Sequence, residues 1–369
     1  MSKINVRSFS NENEDGAPDL VGITTFSATS YFVPTRGTTD QRPSDHVEVG
    51  SLRYNYDTKN LEFYRGKTIG WASFELIDPD LDGGTRALFG GGYTPSTTNV
   101  VDFITMSSLG DAQDFGDMSD INMSKGSTAS RTRAIWAGGN SEPASNVDKI
   151  HHVTITSKGD TTEVTGILTV ARRSTTGVSD GSRAIFAGGR TPTTQNVIDY
   201  FNIASLGAAN DFGDISRASS VSMGALQSST RGCWGGGYTP SINSISYITM
   251  STLGNSADFG DLLFASGQTT GASNSVRGLY NGDTDINYIT IATTGNAQDF
   301  GDLSANSAYP TGAASPTRAV FHIGSAHPSV VNTIEYVQIM STGNALDFGD
   351  LTQGRQMRSG ACSNGHGGL

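Results

Sequence analysis

The tetrapeptide Asp-Phe-Gly-Asp occurs five times in this chain of 369 residues, and the repetition is what most limits its possible folds. The copies occupy 114–117, 211–214, 258–261, 299–302 and 347–350. Protein kinases use the same letters to hold magnesium, but one active site needs one such aspartate. The chain also lacks a Gly-rich phosphate loop and a His-Arg-Asp catalytic loop. Five copies therefore indicate architecture, and self-similarity over long periods is typical of repeat proteins.

An arginine opens each of six repeats and sets their period. The successive spacings are 47, 50, 48, 46 and 41 residues, between Arg86, Arg133, Arg183, Arg231, Arg277 and Arg318. A short apolar run follows each arginine, then a polar loop, a longer apolar segment, a turn leading to Asp-Phe-Gly-Asp, and a segment rich in Ser, Gly and Ala. Turn residues bound each segment, so the pattern predicts four short strands per repeat.

The third segment of each repeat is apolar on both faces. In the first repeat Val101 and Phe103 point one way, whereas Ile104 and Met106 point the other. A strand that is apolar on both faces must be covered on both faces. We therefore expect each sheet to lie between two others, and six such sheets can close a circle that leaves no exposed edge.

The phenylalanine of each tetrapeptide is predicted to be structural. Phe115 lies three residues before Met118, and an odd separation places two side chains on opposite faces of a regular strand. A bulge at the intervening glycine would return both to one face. The same reasoning applies to the other four copies, so the predicted structural residues are Phe115, Phe212, Phe259, Phe300 and Phe348.

The acids of the repeats allow two interpretations. The second repeat has Glu163 and Val164 in place of the first aspartate and the phenylalanine, so an acid and an apolar residue persist in all six repeats. We expect the first acid to accept hydrogen bonds from turn amides or from a repeat arginine. The alternative is that the repeated acids bind cations.

The end of the sequence supplies a segment that the first repeat lacks. Arg86 has no Ser/Gly/Ala-rich segment before it, whereas "RSGACSNGHGGL" at the end resembles the segments that precede the other arginines. We therefore expect a strand at about 356–366 to pair into the first sheet and close the circle. This would put Cys362 in the first sheet and Cys233 in the fourth, too far apart for a disulfide.

The units resemble kelch repeats. They share a small-residue strand, a short apolar strand ending in Gly-Gly, and a strand with Tyr or Phe; the glycine pairs are at 91–92, 138–139, 188–189 and 236–237. The Phe of Asp-Phe-Gly-Asp replaces the usual outer-strand Trp, and the last two units lack the glycine pair. The resemblance implies an all-β fold, a six-bladed kelch-like β-propeller over 77–369 closed by the C-terminal strand. It implies nothing about the ligand.

The N-terminal quarter differs from the repeats. Residues 1–48 are polar and predict an extended arm, and 49–76 predict a small β-hairpin module in which "LRYN" and "LEFYRG" flank "YDTKN". With "RGTTDQRP" before it, this stretch resembles a module found near the ends of bacteriophage tail-fibre and baseplate proteins. The resemblance makes it a docking module, carried by Arg53, Tyr54, Tyr64 and Trp71. The alternative is an ordinary hairpin in a bacterial protein.

Together the two resemblances imply a function. The units are also similar to those of structural proteins in marine tailed phages. We expect a non-enzymatic virion protein of the tail fibre, baseplate or tail, made in the host cytoplasm. Its expected partners are other virion tail proteins and further copies of itself. The propeller would either bind a host-surface saccharide for host attachment or join neighbouring subunits. The alternative is a free kelch-type scaffold or lectin-like binding protein of a bacterium.

The loops after the second strands are the predicted contact sites. They display Tyr93, Arg190 and Tyr238, residue types favoured at recognition surfaces. The alternative is that these are ordinary exposed loops.

Other chemistry is not indicated by the sequence. "DPDLDGG" at 78–84 opens like a calcium loop, but Phe89 stands where a bidentate Glu belongs, so we interpret it as an acidic linker. The alternative is a weak surface cation site. The adjacent His151 and His152 would point to opposite faces of a strand and could not bind one metal together. We predict no catalytic residue, cofactor or metal. The net charge of −11 argues against nucleic acid, and no segment is apolar enough for membrane insertion.

Overall fold

The computed structural model describes residues 34–45, 47–58, 60–73, 85–94, 96–141, 145–216, 221–238, 240–326, 329–356 and 360–369. The predicted linker at 78–84 and residues 1–33 of the predicted arm lie outside the described residues. The described chain is all-β, with one short 3-10 helix at Thr39–Gln41. It divides into two compact units, 1–77 and 78–369.

The first unit contains one four-stranded sheet. Its strands, in sheet order, are Thr35–Gly37, Leu52–Asn55, Asn60–Tyr64 and Trp71–Ser73. The predicted antiparallel hairpin is confirmed, and Trp71 lies on the next strand as predicted. Sequence reasoning placed Thr35–Gly37 in the extended arm, but it pairs in parallel with Leu52–Asn55. Three residues of the pattern Thr-Arg-Gly carry no apolar alternation that could have indicated a strand.

Among the described residues, the second unit contains one antiparallel sheet for each repeat and three smaller sheets of two or three short strands. The repeat sheets are numbered 1 to 6 in the order of the repeat arginines. The first strands are Ala361–Ser363, Gly126–Ala129, Thr176–Ser179, Gly224–Gln227, Thr270–Ser273 and Thr311–Ala314. The second strands are Arg86–Tyr93, Arg133–Ala137, Arg183–Ala187, Arg231–Gly235, Arg277–Thr290 and Arg318–His322. In sheet 5 the strand Arg277–Thr290 serves as both second and third strand.

The outer strands of the sheets follow in chain order. The third strands of the remaining sheets are Thr97–Thr105, Ile150–Thr154, Val197–Asn202, Ile242–Thr249 and Thr333–Gln338. The fourth strands are Gln113–Asp117, Thr162–Val164, Asn210–Asp214, Ala257–Ser266, Gln298–Ser307 and Leu346–Asp350. Short strands at the loops complete the structure: Asn122–Met123, Asn140–Ser141, Ser145–Asn146, Arg190–Thr191, Thr193–Thr194, Ser325–Ala326 and Ser329–Val330.

Sheet 1 takes its first strand from the end of the sequence. Ala361–Ser363 pairs antiparallel with Arg86–Tyr93, within the segment expected from the repeat pattern. The first strand of each sheet contacts that of the next, and Ala361–Ser363 contacts both Thr311–Ala314 and Gly126–Ala129. The two cysteines lie in sheets 1 and 4, where both are buried and free.

The predicted bulge in the fourth strand is confirmed. In sheet 1 Val101 pairs with Gly116 while its neighbour Asp102 pairs with Asp114, so Phe115 is an extra residue. Gly116 has a φ of 148°, which only glycine adopts readily. Phe115 consequently shares one core cluster with Met118. The same register shift occurs in sheets 3 to 6, and each copy buries its phenylalanine.

The bulge glycine also joins neighbouring sheets. A Cβ on Gly260 would lie 2.4 Å from the carbonyl oxygen of Gly295 in the next sheet. This close approach lets the Gly295 amide donate to Phe259 O at 2.8 Å, and the Ala297 amide to Asp261 O at 2.8 Å. Sheets 1, 3, 5 and 6 make the same pair of bonds to the following sheet, and sheet 6 makes them to sheet 1.

The second repeat, which lacks the tetrapeptide, shows how the contact between neighbouring sheets depends on it. In each complete tetrapeptide, the amide of the second aspartate donates to an Asn or Asp side chain in the turn of the next sheet. Asp214, for example, donates to Asn255 at 2.9 Å. The turn that follows repeat 2 has Ala208 at this position. The loss of the tetrapeptide in one sheet is therefore matched by the loss of its partner in the next.

The expected role of the first acid is wrong in most repeats. Its side chain is exposed in all five tetrapeptides. Among these five aspartates of the described chain, only Asp211 accepts a backbone hydrogen bond, and the donor is the Gly213 amide of its own bulge rather than a turn. The repeat arginines instead donate to backbone carbonyls of the next sheet, as Arg231 does to Ile291 O at 2.9 Å. Arg318 of sheet 6 donates to Met106 O of sheet 1 at 2.8 Å. The acids lie on the fourth strand, at the edge of each repeat sheet.

A candidate binding site between the six sheets

A cavity of about 450 Å³ lies between the first strands of the six sheets. Its wall is made of small and hydroxyl-bearing residues because the first strands approach one another closely. A Cβ on Gly271 would lie 2.2 Å from Ala225 O. Hydroxyl groups link adjacent strands: Ser127 Oγ donates to Ala361 O at 2.8 Å, and Ser179 Oγ to Ala129 O at 2.7 Å. The Ser/Gly/Ala composition of these strands thus follows from their position.

Residues 364–369 lie across one end of the first strands, and His366 among them lines the cavity, so we call this the covered end. The Gly367 amide donates to Ser273 O at 2.8 Å, and a Cβ on Gly367 would lie 2.3 Å from Gln227 O. His366 Nδ1 accepts from the Gly368 amide at 3.1 Å, so Nε2 carries the proton that it donates to Ala129 O at 2.7 Å. Burial lowers the pKa of His366 to about 4, which keeps the ring neutral.

The opposite end of the cavity carries two of the predicted contact residues. Arg190 and Tyr238 both line the cavity, and Tyr238 is 52% exposed. Each forms a backbone bridge to the segment before the first strand of its own sheet, to Arg173 and Val221 respectively. Tyr93 makes the corresponding bridge to Gln356 in sheet 1 but is not among the residues lining the cavity. We call this end, formed by Arg173, Arg190, Tyr238, Gln268 and Tyr309, the mouth.

The backbone around the mouth adopts an uncommon conformation. Six described non-glycine residues have φ between 53° and 62°, and four of them lie two positions before a first strand; those four are Ser124, Ser174, Ser222 and Tyr309. Such residues persist where the surrounding structure fixes them, and they concentrate at functional sites. Here the Ser174 amide donates to Ser124 O at 2.7 Å, which ties neighbouring positions together. Sequence patterns gave no signal for this feature because the residues are not glycine.

The mouth carries positive charge in an acidic protein. Arg173 and Arg190 line it, and no aspartate or glutamate is among the described residues of the cavity wall. Neither arginine has an ion-pair partner in the part of the chain that the structure describes. Arg190 Nε donates to Pro192 O at 2.9 Å. Lys125 also lines the cavity, but its amine is buried beside Asp120 at 3.5 Å, and burial lowers its pKa to about 8.

Two fully buried ion pairs contrast with these arginines. Arg172 pairs with Asp199 at 2.7 Å between sheets 2 and 3, and Arg355 pairs with Asp102 at 2.8 Å between sheets 6 and 1. Burial raises the pKa of Asp102, while burial lowers that of Arg355. Sequence reasoning missed both pairs because their members are distant in the chain. Their role is to join sheets.

A second cluster of ionisable groups lies between sheets 1 and 2. His151 Nε2 is 2.9 Å from Asp120, and ligand-type atoms of Asp120, His151 and Glu163 all lie within 4.8 Å of one another. Lys149 Nζ contacts Asp120 and lies 3.0 Å from Glu163, so the two carboxylates share one ammonium group. Burial opposes ionisation of Asp120, but bonds from His151 and Lys149 outweigh it and hold its pKa below the usual value.

The predicted docking residues pack mostly against one another within the first unit. The Arg53 guanidinium lies 3.4 Å from Glu62 and 5.6 Å from the Trp71 ring centroid, and the Tyr64 and Trp71 rings are 5.5 Å apart. Arg53 and Tyr64 are buried, so these residues stabilise the sheet. Tyr54 is half-buried beside Tyr56 and offers more surface.

Comparison with known proteins does not identify a family for this chain. No protein-family model matches the chain, and no curated protein is significantly similar to it. In the described part of the chain, no helix has the length and apolar character needed to cross a membrane.

Proposed function

We propose that the chain is a non-enzymatic structural protein of a tailed-phage virion. In this proposal the second unit is a six-bladed kelch-like β-propeller, closed by Ala361–Ser363, that binds a host-surface ligand at its mouth. The first unit docks it to other virion tail proteins and to further copies of the chain.

The contacts between sheets 6 and 1 support the closed propeller. They repeat the contacts made between the other sheets: Arg318 donates to Met106 O, and the Gly110 amide donates to Phe348 O at 2.9 Å. The first strands likewise contact one another in an unbroken cycle. A closed cycle is how repeated antiparallel sheets avoid exposed edges.

The observation that carries the binding function is the open, positively charged mouth opposite a covered end. A concave site with a few convergent polar groups is the usual form of a ligand site. Hydrolytic chemistry on a saccharide would use paired carboxylates, and none lines the described cavity wall. This supports binding without catalysis.

Particle composition tests the virion assignment. We expect mass spectrometry to find the chain in purified particles of the phage that encodes it. Tyr54→Asp, which places a charge on the half-buried ring of the first unit, should reduce its incorporation by at least fivefold. The matched variant Tyr238→Asp at the mouth should be incorporated normally, and its particles should adsorb more slowly to host cells.

Absence of the wild-type chain from purified particles would contradict the virion assignment. The chain would then be the free scaffold or lectin-like protein that the repeats also allow. Normal incorporation of Tyr54→Asp would show that docking uses another surface.

A further inference from the structure

We propose that the mouth binds an acidic saccharide, with the guanidinium groups of Arg173 and Arg190 pairing with its carboxylate. The inference rests on the proposed binding function of the second unit and names the ligand class for that site. It does not depend on the virion assignment.

The charge at the mouth is the first argument. Arg172 and Arg173 are adjacent in the sequence but differ in burial. Arg172 is fully buried against Asp199, whereas Arg173 lines the cavity and is half-buried. Arg190 is exposed on the same rim, joined to Arg173 by two backbone hydrogen bonds of 2.8 and 3.2 Å. Guanidinium groups are suited to carboxylate recognition because they donate in a fork that matches two oxygens.

The wall of the cavity is the second argument. It presents hydroxyl groups and backbone atoms, together with the tyrosines and glutamine of the mouth and few large apolar side chains. Hydroxyl-rich walls suit a ligand with many hydroxyl groups, and aromatic rings supply rigid contact area at small entropic cost. A volume of about 450 Å³ is within the range of small-ligand sites.

The overall charge excludes a denser polyanion. The chain has a net charge of −11, and the mouth offers two arginines. Nucleic acid is bound through many phosphate contacts on a basic surface, which this chain lacks. A ligand with isolated negative charges on a polyhydroxyl skeleton fits both facts.

The fixed backbone of the rim is the third argument. Ser174 and Ser222, with φ of 56° and 53°, lie on the same rim as the two arginines. Hydrogen bonds between adjacent segments hold this rim in place before any ligand arrives. A rim fixed in advance loses little conformational entropy on binding.

Calorimetric titration of the full chain tests the proposal. The carboxylated probes are trigalacturonate and 3′-sialyllactose, and the matched neutral probes are trigalacturonate methyl ester and lactose. We expect at least one carboxylated probe to bind at least tenfold more tightly than its neutral match, with affinity that falls as salt is added. The variant Arg173→Gln/Arg190→Gln should lose at least tenfold in affinity for that probe.

The control variant is Arg131→Gln, an exposed arginine near the covered end of the cavity. It should bind as the wild type does, and unchanged circular dichroism should show that all variants fold. Equal binding of acid and neutral probes, no binding of either acid, or full binding by the double variant would overturn the proposal. Inorganic phosphate that binds as tightly as the saccharide would also overturn it, because the site would then recognise an anion alone. Binding by a chain that is absent from particles would leave this inference standing and remove only the virion assignment.

Discussion

At the scale of the residue, burial and ion pairing distinguish the charged side chains that join the sheets from those available to a ligand. Asp102 and Arg355 are fully buried and 2.8 Å apart. Asp102→Asn keeps an acceptor for Thr352 but leaves the guanidinium without a counter-charge. We expect the free energy of unfolding in urea to fall by about 3–5 kcal/mol, the usual effect of removing one partner of a buried pair.

A partly exposed pair provides the control for this substitution. Asp180 and Arg183 are 2.9 Å apart with side chains 16% and 25% exposed, so Asp180→Asn should cost less than about 1 kcal/mol. The double variant Asp102→Leu/Arg355→Met should be more stable than Asp102→Asn. Equal losses for Asp102→Asn and Asp180→Asn would refute the role assigned to the buried pair.

Histidines buried in their neutral form should make the fold sensitive to acid. Burial lowers the pKa of His366 to about 4 and that of His322 to about 3. Between pH 6.5 and these values the unfolded chain binds protons that the folded chain does not, so stability is complete above about pH 6.5 and falls as pH decreases. Each histidine should remove about 2 kcal/mol between pH 7 and pH 5.

The variant His366→Gln removes one of these titrating groups and so measures its contribution to the pH dependence. The glutamine amide can still donate to Ala129 O, so the loss of stability between pH 7 and pH 5 should shrink by about 2 kcal/mol. Urea unfolding at the two pH values measures it. His152→Gln, at a half-buried ring, should change the pH dependence less. An unaltered pH dependence in His366→Gln would mean that the ring at the covered end takes up its proton over the same pH range in the folded and the unfolded chain.

At the scale of the element, the bulged fourth strand is the part that binds one sheet to the next. Gly260 and Gly254 have nearly the same φ, 146° and 147°, but different surroundings. A Cβ at Gly260 would meet Gly295 O at 2.4 Å, whereas one at Gly254 would meet nothing within 4 Å. Gly254→Ala therefore tests the backbone conformation alone, at a cost of about 1–3 kcal/mol.

Gly260→Ala should cost about 1–3 kcal/mol more than Gly254→Ala because it also separates two sheets. Urea unfolding of the two variants gives the comparison. Amide hydrogen exchange at Gly295, whose amide donates to Phe259 O, should speed up in Gly260→Ala. Equal stabilities of the two alanine variants would show that the contact between sheets contributes nothing.

Elements that depend on local pattern were predictable from the sequence. The hairpin at Leu52–Asn55 and Asn60–Tyr64 follows from turn chemistry, and the bulge at Gly116 follows from the odd spacing of Phe115 and Met118. Features that depend on which segments meet were not predictable. The parallel pairing of Thr35–Gly37, for example, requires a partner that no periodicity specifies.

The same distinction holds for the candidate site. Arg190 and Tyr238 were predicted because they follow a recurring Gly-Gly turn. Arg173 was missed because it lies just before a strand and next to Arg172, whose role is structural. The ionic cluster around His151 was missed because it arises where the second repeat departs from the pattern. Departures from a repeat are a signal that could have located it.

At the scale of the second unit, one short strand links sheet 1 to the sheets on either side of it. Ala361–Ser363 pairs with Arg86–Tyr93 and contacts the first strands of sheets 2 and 6, and residues 364–369 lie across the covered end. Removing 360–369 exposes an unpaired edge on Arg86–Tyr93 and uncovers that end. We expect the truncated chain to unfold at a midpoint at least 10 °C lower, or to lose its near-ultraviolet circular dichroism at 25 °C.

Adding the removed segment back as a peptide distinguishes the loss of this strand from a non-specific effect of truncation on folding. A synthetic peptide of residues 360–369 should restore the unfolding midpoint in a concentration-dependent way, because a ligand that binds only the folded state stabilises it by mass action. The same peptide with Cys362→Pro should not, since proline cannot donate to the ladder and disrupts a paired strand. Thermal scans with increasing peptide measure the effect. A truncated chain that unfolds at the wild-type midpoint would mean that the six sheets hold together without this strand, and the proposed closure would be wrong.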